Sequence, residues 1–229
     1  MSIRKTLYRD FRRLKPEAFA DAPPSGIRIV TSDDEVAAAE SAGQKWLAPD
    51  VPPEWRETGI MYQDAFINLI KDPVQFPDGR FGTYVRIGSP PHRPDSVCVL
   101  PVLNGKFVFI QHYRHPTRRF HWELPGGYGE PGATLEGTAR AELREELGAE
   151  ATKLTPLGQL FADKGFVATG FYAFAAEIER TGAVETADGI VAQRHLSVAE
   201  TLAAIGSGEF DDCISIAVVL RYLAIKGRI

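Results

Sequence analysis

Glu123–Ala149, with the sequence ELPGGYGEPGATLEGTARAELREELGA, runs from a short apolar strand through a glycine-rich turn into a helix crowded with glutamates. Proline lacks a backbone donor and glycine accepts the angles of a tight turn, so Pro125–Gly127 should end the strand. Thr134 is the expected N-cap of the helix, and Gly148 is the expected stop. Between them, apolar residues recur every four positions, as in an amphipathic helix: Leu135, Ala139, Leu143 and Leu147.

The glutamates of this helix are close together. Glu142, Glu145 and Glu146 stand at i, i+3 and i+4, so they share one face. Like charges at this spacing destabilise an isolated helix by about 0.2–0.5 kcal/mol per pair, and a compensating partner is expected. One candidate partner is a hard divalent cation such as Mg2+ or Mn2+, which prefers carboxylate oxygens. The other is solvent, with Arg140 and Arg144 balancing part of the charge.

The loop and helix together resemble the signature of the Nudix hydrolase family, which is Gly, five residues, Glu, seven residues, and then Arg-Glu-apolar-x-Glu-Glu-x-Gly-apolar. Gly127 and Glu142–Ala149 set the frame in this chain. Ala133 stands where the family has its first glutamate, and Ala141 stands where it has the arginine. Because those positions usually steady the loop and the helix, the two alanines favour an alternative function. In that alternative, a degenerate Nudix domain binds or senses a nucleotide without efficient hydrolysis.

The resemblance implies a metal site and a set of catalytic residues. The implied ligands of Mg2+ or Mn2+ are a backbone carbonyl, from Gly126 or Gly127, and the carboxylates of Glu142, Glu145 and Glu146. The same three glutamates are the implied catalytic residues, joined by an acidic residue from a later loop. Glu185 and Asp188 are the candidates for that residue, and the alternative for both is that they are simply solvated.

The similarity extends upstream of this motif. Val97–Val102 and Phe107–Ile110 are apolar, strand-like runs joined at Asn104-Gly105, the strongest short hairpin signal. Gln111–Arg114 follows directly, and Trp122–Gly127 completes a pattern similar to the ADP-ribose pyrophosphatase branch of the family. That branch implies ADP-ribose or a related nucleoside-diphosphate sugar as the substrate.

Two upstream residues are the implied substrate-binding residues. Arg114 would lie near a phosphate, which a guanidinium can bind bidentately, and Glu123 would belong to the same site. The alternatives are ordinary ion pairs, between Arg114 and a surface carboxylate, or between Glu123 and one of Arg114, Arg118 and Arg119. Lys164 occupies the place where this branch commonly has a proline, so the chain departs there from the ADP-ribose marker.

The expected fold is of the α/β class: a Nudix-like α/β/α sandwich with a mixed sheet, preceded by an N-terminal extension that carries an antiparallel hairpin. Ala65–Ile70 and Gly82–Ile87 are the expected strands of that hairpin, around a turn at Pro77–Arg80. The expected organisation is an N-terminal extension (1–58), an antiparallel strand region that forms a dimer (59–92) and a Nudix hydrolase domain (93–229). The protein is therefore expected to be a homodimer.

Composition limits the remaining functions. The chain has 229 residues, is 44% hydrophobic and carries a net charge of -4, so no global basic field points to nucleic acid. Cys98 and Cys213 are the only cysteines, both in apolar segments, which favours buried thiols in a reducing cytoplasm. No apolar run approaches the roughly 20 residues that cross a bilayer, so no membrane partner is expected. The basic segment Ser2–Lys15 is open to several interpretations: a helix, a targeting peptide, or a disordered or surface-packed start.

Overall fold

The computed structural model describes residues 2–45, 47–183 and 189–229. In this part of the chain the helices are Ile3–Leu14 (α1), Asp33–Gln44 (α2), Leu135–Leu147 (α3), Val198–Ser207 (α4) and Cys213–Ile225 (α5). The strands are Arg28–Ile29 (β1), Gly59–Gln63 (β2), Asn68–Gln75 (β3), Phe81–Gly88 (β4), Ser96–Leu103 (β5), Lys106–Arg114 (β6), Arg119–Glu123 (β7), Ala151–Leu160 (β8), Phe171–Ile178 (β9) and Ile190–Leu196 (β10).

The chain divides into two compact units. The N-terminal unit consists of the chain up to Arg93 together with Asp163–Thr169, and the C-terminal unit consists of Pro94–Ala162 and Gly170–Ile229. In the N-terminal unit, β1, β2 and β4 each pair antiparallel with β3.

The basic N-terminal segment is a helix. The Ser2 hydroxyl caps α1. The two buried side chains of this helix, Tyr8 and Phe11, pack with Ile60 and Ile70 of the N-terminal sheet. The helix and the surface-packed start are therefore confirmed and the disordered start is wrong, while a targeting peptide stays a prediction. Two aromatic residues on one face anchor the helix among many charged residues.

The N-terminal hairpin starts later than predicted. The turn at Pro77–Arg80 is confirmed, with Gly79 at a φ of +85°. However, Ala65–Ile67 is not strand, because Asp64 accepts hydrogen bonds from the amides of Phe66 (2.7 Å) and Ile67 (2.8 Å). An aspartate that bonds its own following backbone makes a turn, and β3 begins only after it.

A buried ionic network crosses the N-terminal sheet. Asp72, which is 2% exposed, accepts from Tyr8 Oη (2.5 Å) and from Arg86 Nε (2.5 Å). The Arg86 guanidinium also lies over the Phe19 ring, 4.9 Å from its centroid. Burial raises the pKa of Tyr8, and the adjacent Asp72 adds to that rise, so the hydroxyl remains a donor. The carboxylate therefore depends on two donors that are far from it in sequence.

Removing one of those donors should destabilise the protein strongly. We expect Arg86→Met to lower the free energy of unfolding by about 3–5 kcal/mol, because it leaves the buried Asp72 carboxylate without its cation. Arg80→Met is the matched control: Arg80 pairs with Asp78, and both side chains are more than half exposed. That change should cost at most about 1 kcal/mol. Urea denaturation of both variants measures the difference, and equal losses would contradict a special role for the buried pair.

The C-terminal unit contains the mixed sheet predicted from the sequence. Its strand order is β10-β6-β5-β9-β8, with β7 also paired to β6. β5 and β9 run parallel, and the other pairs are antiparallel. The hairpin turn between β5 and β6 is confirmed: Asn104 and Gly105 have φ values of 49° and 78°, the left-handed angles that a two-residue type I′ turn requires.

Helices cover both faces of this sheet. Successive residues of a strand point to opposite sides, and both sets of side chains in β5 and β6 are apolar. One face of β5 and β6 packs on α3, through Val97, Val99, Val108 and Ile110 against Ala139, Leu143 and Leu147. The other face packs on α4 and α5, through Cys98, Leu100, Phe107 and Phe109 against Ala204, Val218, Val219 and Leu223. The predicted α/β/α sandwich is confirmed.

The two cysteines differ in exposure. Cys98 is buried in β5 as expected, but Cys213 is exposed at the first position of α5, where the expectation of burial was wrong. The buried stripe of that helix runs through Ser215, Val219 and Leu223, so its first residue remains at the surface. Among the described residues, no helix has the combination of length and apolar character that crossing a bilayer requires.

Candidate active site

The glycine-rich loop and α3 have the predicted local structure. The Thr134 hydroxyl accepts from the Gly137 amide (3.0 Å) and so caps α3. Gly148 ends the helix at a φ of 56°, and its amide donates to the Arg144 carbonyl (3.0 Å). Glycine takes this left-handed conformation without steric cost, which is why the helix stops there.

Two of the three predicted glutamates face the loop. Glu146 Oε2 accepts from the Gly126 amide at 2.9 Å. A Cβ at Gly127 would lie 2.5 Å from Glu142 Oε1, so this carboxylate packs directly on the glycine backbone. Glu145 is exposed. The helix spacing therefore places Glu142 and Glu146 together against Gly126–Gly127 and leaves Glu145 at the surface.

The environment of Glu146 disfavours a negative charge. Burial raises the pKa of Glu146 to about 8, with the Glu142 and Glu123 carboxylates contributing, while the Gly126 amide and Arg114 act in the opposite direction. A carboxyl group surrounded by other acids and removed from water is the arrangement that a cation would stabilise in its charged form.

The carboxylate oxygens of Glu142 and Glu146 fit a hard divalent cation. The described residues contain no group of three or more His, Cys, Asp or Glu side chains gathered as a complete metal site. Mg2+ is commonly held by only one or two carboxylates, with waters and substrate phosphates as its other ligands. The two loop-facing glutamates supply that number of carboxylates. Gly126, Glu142, Glu145 and Glu146 remain the predicted ligands.

The loop is held from outside the family motif. The Gly127 carbonyl accepts from the Val97 amide (2.8 Å), which ties the loop to β5. The Leu124 amide donates to Ser215 Oγ (2.8 Å), and that hydroxyl donates to Asp212 Oδ2 (2.5 Å), the cap of α5. These contacts fix the loop on two elements, although Ala133 and Ala141 lack the usual supporting side chains.

Arg114 and Glu123 lie side by side. Arg114 donates to Glu123 through Nε (3.0 Å) and through a terminal nitrogen (2.5 Å), so the pair is bidentate. Glu123 is 5% exposed, whereas nearly half of the Arg114 side chain reaches solvent. His112 Nδ1 lies 3.0 Å from Glu123 Oε1 but at an angle that makes no hydrogen bond within the described residues. The predicted pair is therefore a buried carboxylate that orients an accessible guanidinium.

A cavity of about 650 Å3 opens beside this loop. Its lining includes Arg114, Glu123, Gly126 and Gly127, so two predicted substrate-binding residues and the loop share one space. Cys98 also lines it, but burial raises the pKa of the Cys98 thiol well above its usual value, with Asp212, Glu123 and Glu146 adding to the rise. A thiol that stays protonated is a poor nucleophile, so Cys98 is not suited to nucleophilic catalysis.

Sequence reasoning missed several residues of this cavity. Thr117, Arg119, His121 and Asp211 also line it, and Arg119 pairs with Asp211 (2.6 Å) rather than with Glu123. No spacing connects Arg119, in β7, with Asp211, between α4 and α5, and only the tertiary fold brings them together. A polar run such as Thr117–His121 directly after a predicted strand was the available signal.

Other predicted residues lie elsewhere. Glu185 and Asp188 lie outside the described residues. Lys164 is exposed and belongs to the N-terminal unit, in the segment Asp163–Thr169. Its neighbour Phe166 accepts from the Ile87 amide (2.8 Å) through its carbonyl.

Comparison with known proteins identifies the family. The sequence profile of the NUDIX domain matches residues 92–209, which is more than half of the chain. The chain belongs to the NUDIX family. The match covers the loop, the glutamate helix and the hairpin upstream of them, so the resemblance drawn from Gly127 and Glu142–Ala149 is confirmed.

This NUDIX protein is similar to two curated proteins and to one solved structure. It is 28% identical to an ADP-ribose pyrophosphatase of Bacillus subtilis (strain 168), over 72% of this chain and 89% of that protein. It is 25% identical to a methanol dehydrogenase activator of Bacillus methanolicus, over 74% of this chain and 82% of that protein. The solved structure of an ADP compounds hydrolase matches with a TM-score of 0.65 at 18% identity, covering 76% of this chain and 95% of the other. The last match confirms the fold.

Proposed function

We propose that this NUDIX protein is a metal-dependent hydrolase that cleaves the pyrophosphate of ADP-ribose or a related nucleoside-diphosphate sugar. The observation that carries the proposal is the placement of Glu142 and Glu146 against the Gly126–Gly127 backbone, which also lines the cavity. Similarity to the ADP-ribose pyrophosphatase of Bacillus subtilis supports the substrate class.

The cation would be Mg2+ or Mn2+, held by Glu142, Glu145 and Glu146 with the Gly126 carbonyl. When bound, such a cation neutralises phosphate charge and lowers the pKa of a water molecule. The raised pKa of Glu146 supports this role, because a nearby cation would favour the charged form of a carboxyl that its protein surroundings disfavour.

Arg114 and Glu123 would position the substrate. Glu123 engages two nitrogens of the Arg114 guanidinium and fixes its plane, while the exposed side of the group reaches the cavity. A guanidinium has five N–H donors, so donors remain for phosphate oxygens. Fixing the plane in advance lowers the entropic cost of binding and holds the diphosphate in one orientation.

A carboxylate of the site would take the proton of the attacking water. Glu142, Glu145 and Glu146 on α3 are candidates, with Glu185 in the later loop as the fourth. The base must lie within about 2.6–3.2 Å of the water in the complex with substrate, and exchange of each glutamate for glutamine tests the assignment.

The alternative function is a sensor that binds a nucleotide without efficient hydrolysis. Ala133 and Ala141 favour it, because the family's supporting charges are absent. The backbone anchors through Val97 and Ser215 favour the enzyme, since they hold the loop without those charges. Repulsion between Glu142 and Glu146 also favours the enzyme, because a domain that only senses gains nothing from two adjacent acids.

The direct test is AMP release from ADP-ribose and a panel of nucleoside-diphosphate sugars, in the presence of Mg2+ or Mn2+. We expect one group of these compounds to be cleaved well above the others, with AMP as a product. Calorimetry with the same compounds identifies the sensor, which would bind tightly and release no AMP.

Assembly and location remain predictions. We propose a homodimer built through the strand region 59–92, where Tyr62 and Phe66 are large exposed hydrophobic residues. We also propose that the protein acts in the cytoplasm, with no nucleic-acid or membrane partner. Light scattering in solution tests the dimer.

A further inference from the structure

A chain of hydrogen bonds runs along one wall of the cavity. Arg119 donates to Asp211 Oδ2 (2.6 Å), His121 Nδ1 lies 2.7 Å from Asp211 Oδ1, and His121 Nε2 lies 2.7 Å from Thr117 Oγ1. All four residues line the same cavity as Gly126 and Gly127. The His121 ring is largely buried, with 11% of its side chain exposed, whereas Thr117, the last residue in this series of hydrogen bonds, is exposed.

The chemistry of these groups indicates which atom donates in each hydrogen bond. The hydrogen bond with His121 lowers the pKa of Asp211, and Arg119 adds to the effect. An ionised carboxylate only accepts, so His121 carries its proton on Nδ1. When the ring is neutral, Nε2 is an acceptor, and the Thr117 hydroxyl is the donor to it.

Thr117 is consequently left with acceptor capacity. Besides His121 Nε2, its hydroxyl lies 3.3 Å from the Arg114 carbonyl oxygen, which is also an acceptor. Both contacts compete for the single hydroxyl proton, and neither supplies a donor to the lone pairs of Oγ1. An exposed oxygen in this state, on a cavity wall, can accept a hydrogen bond from a ligand that displaces solvent.

We infer that Thr117, His121, Asp211 and Arg119 form a subsite for sugar hydroxyl groups, separate in role from the loop that faces the α3 glutamates. A sugar hydroxyl is both a donor and an acceptor: it can donate to Thr117 Oγ1 and accept from Arg119, one of whose five N–H donors meets Asp211. His121 and Asp211 are positioning residues, because they act by orienting the Thr117 proton. The inference rests on the proposed function for the identity of the whole substrate.

Binding without turnover tests the subsite. We would measure the affinities of ADP-ribose, ADP and pyrophosphate by calorimetry, with a chelator present so that metal-dependent cleavage is prevented. Thr117→Val removes the hydroxyl with little change in shape, and Thr117→Ser is the matched control that keeps it. We expect Thr117→Val to weaken ADP-ribose binding by about 3- to 10-fold, as for loss of one hydrogen bond, and Thr117→Ser to restore it.

The three ligands separate the sources of the hydroxyl. Loss of affinity for ADP-ribose alone assigns the subsite to the second sugar, and loss for ADP-ribose and ADP assigns it to the nucleoside ribose. An equal loss for pyrophosphate would mean a phosphate contact and would overturn the inference, as would no loss at all or failure of wild-type protein to bind ADP-ribose. Wild-type cleavage with no selective effect of Thr117→Val would reject the subsite and leave the proposed function standing. A selective effect of Thr117→Val on ADP-ribose binding, in a protein that cleaves nothing, would support the subsite and reject the proposed hydrolysis.

A second variant tests the positioning role. Arg119 is only a donor, so in Asp211→Asn the amide oxygen should turn to Arg119 and the amide NH2 to His121. That change forces the proton of the neutral ring from Nδ1 to Nε2, and the ring then donates to Thr117. Nitrogen NMR of His121 should report this switch of tautomer, together with a weaker ADP-ribose affinity, because one of the two lone pairs of Thr117 Oγ1 then accepts from the ring. An unchanged tautomer or unchanged affinity would overturn the role of Asp211.

Discussion

Glu146→Gln should reduce metal-dependent hydrolysis by about 100- to 10,000-fold, the range expected when a group that binds the cation or moves a proton is lost. Glutamine keeps the size of the side chain, and its amide oxygen can still accept from the Gly126 amide. The fold should therefore remain, and only the charge is removed. Steady-state AMP release from ADP-ribose with Mg2+ measures the effect.

Glu136→Gln is the matched control for this substitution. Glu136 lies in the first turn of the same helix and is exposed. Its exchange for glutamine removes the same charge away from the loop. Its activity should equal that of the wild type. Equal activity of both variants would remove Glu146 from the site.

The same Glu146→Gln variant should be more stable than the wild type at neutral pH, when compared with a chelator present. Because the pKa of Glu146 is raised in the folded state to about 8, the folded protein binds more protons than the unfolded chain between its ordinary pKa of 4.5 and that value. Wild-type stability contributed by this group is thus present at low pH and is lost as the pH rises through this window. The advantage of glutamine should grow from pH 4.5 to pH 8, as measured by urea denaturation at each pH.

Gly126→Ala should destabilise the protein by about 1–3 kcal/mol and abolish most of its activity. A Cβ at this position would lie 2.4 Å from the Val97 carbonyl oxygen and 3.0 Å from Cys98 Cα. Both are backbone atoms of β5 in the core of the sheet, so the loop must move instead. That movement would break the hydrogen bond between the Gly126 amide and Glu146.

Gly206→Ala is the control for the glycine substitution. Gly206 lies in α4, and an added Cβ would meet no atom within 4 Å. Alanine is a better helix former than glycine by about 1 kcal/mol, so this variant should be slightly more stable and fully active. Denaturation midpoints and AMP release of the two variants are the measurements. A Gly126→Ala protein as stable and active as Gly206→Ala would show that the loop does not need its close contact with β5.

Local patterns in the sequence predicted local structure well. Thr134, Gly148 and the apolar period between them place α3 correctly, and Asn104-Gly105 places the hairpin of the central sheet. Each of these signals acts through the backbone within a few residues, so no distant contact is needed to interpret it. The sandwich followed from the same strands and helices.

Contacts between distant residues were beyond such patterns. Asp211 meets Arg119 and His121 across about 90 positions, and Ser215 holds Leu124 across a similar separation. The start of β3 was misplaced for a different reason, since the Asp64 side chain competes for backbone amides in a segment of strand-forming residues. In both cases the deciding interaction comes from a side chain whose partner the apolar pattern does not specify.

The central claim is that the cation and the α3 glutamates hydrolyse a pyrophosphate, and metal removal and return tests it most directly. Protein treated with a chelator should release no AMP from ADP-ribose, and addition of excess Mg2+ should restore many turnovers per chain in wild-type protein but not in Glu146→Gln. ADP-ribose that binds to the wild type but stays intact after Mg2+ is returned, or cleavage that continues in the chelator, would contradict the account.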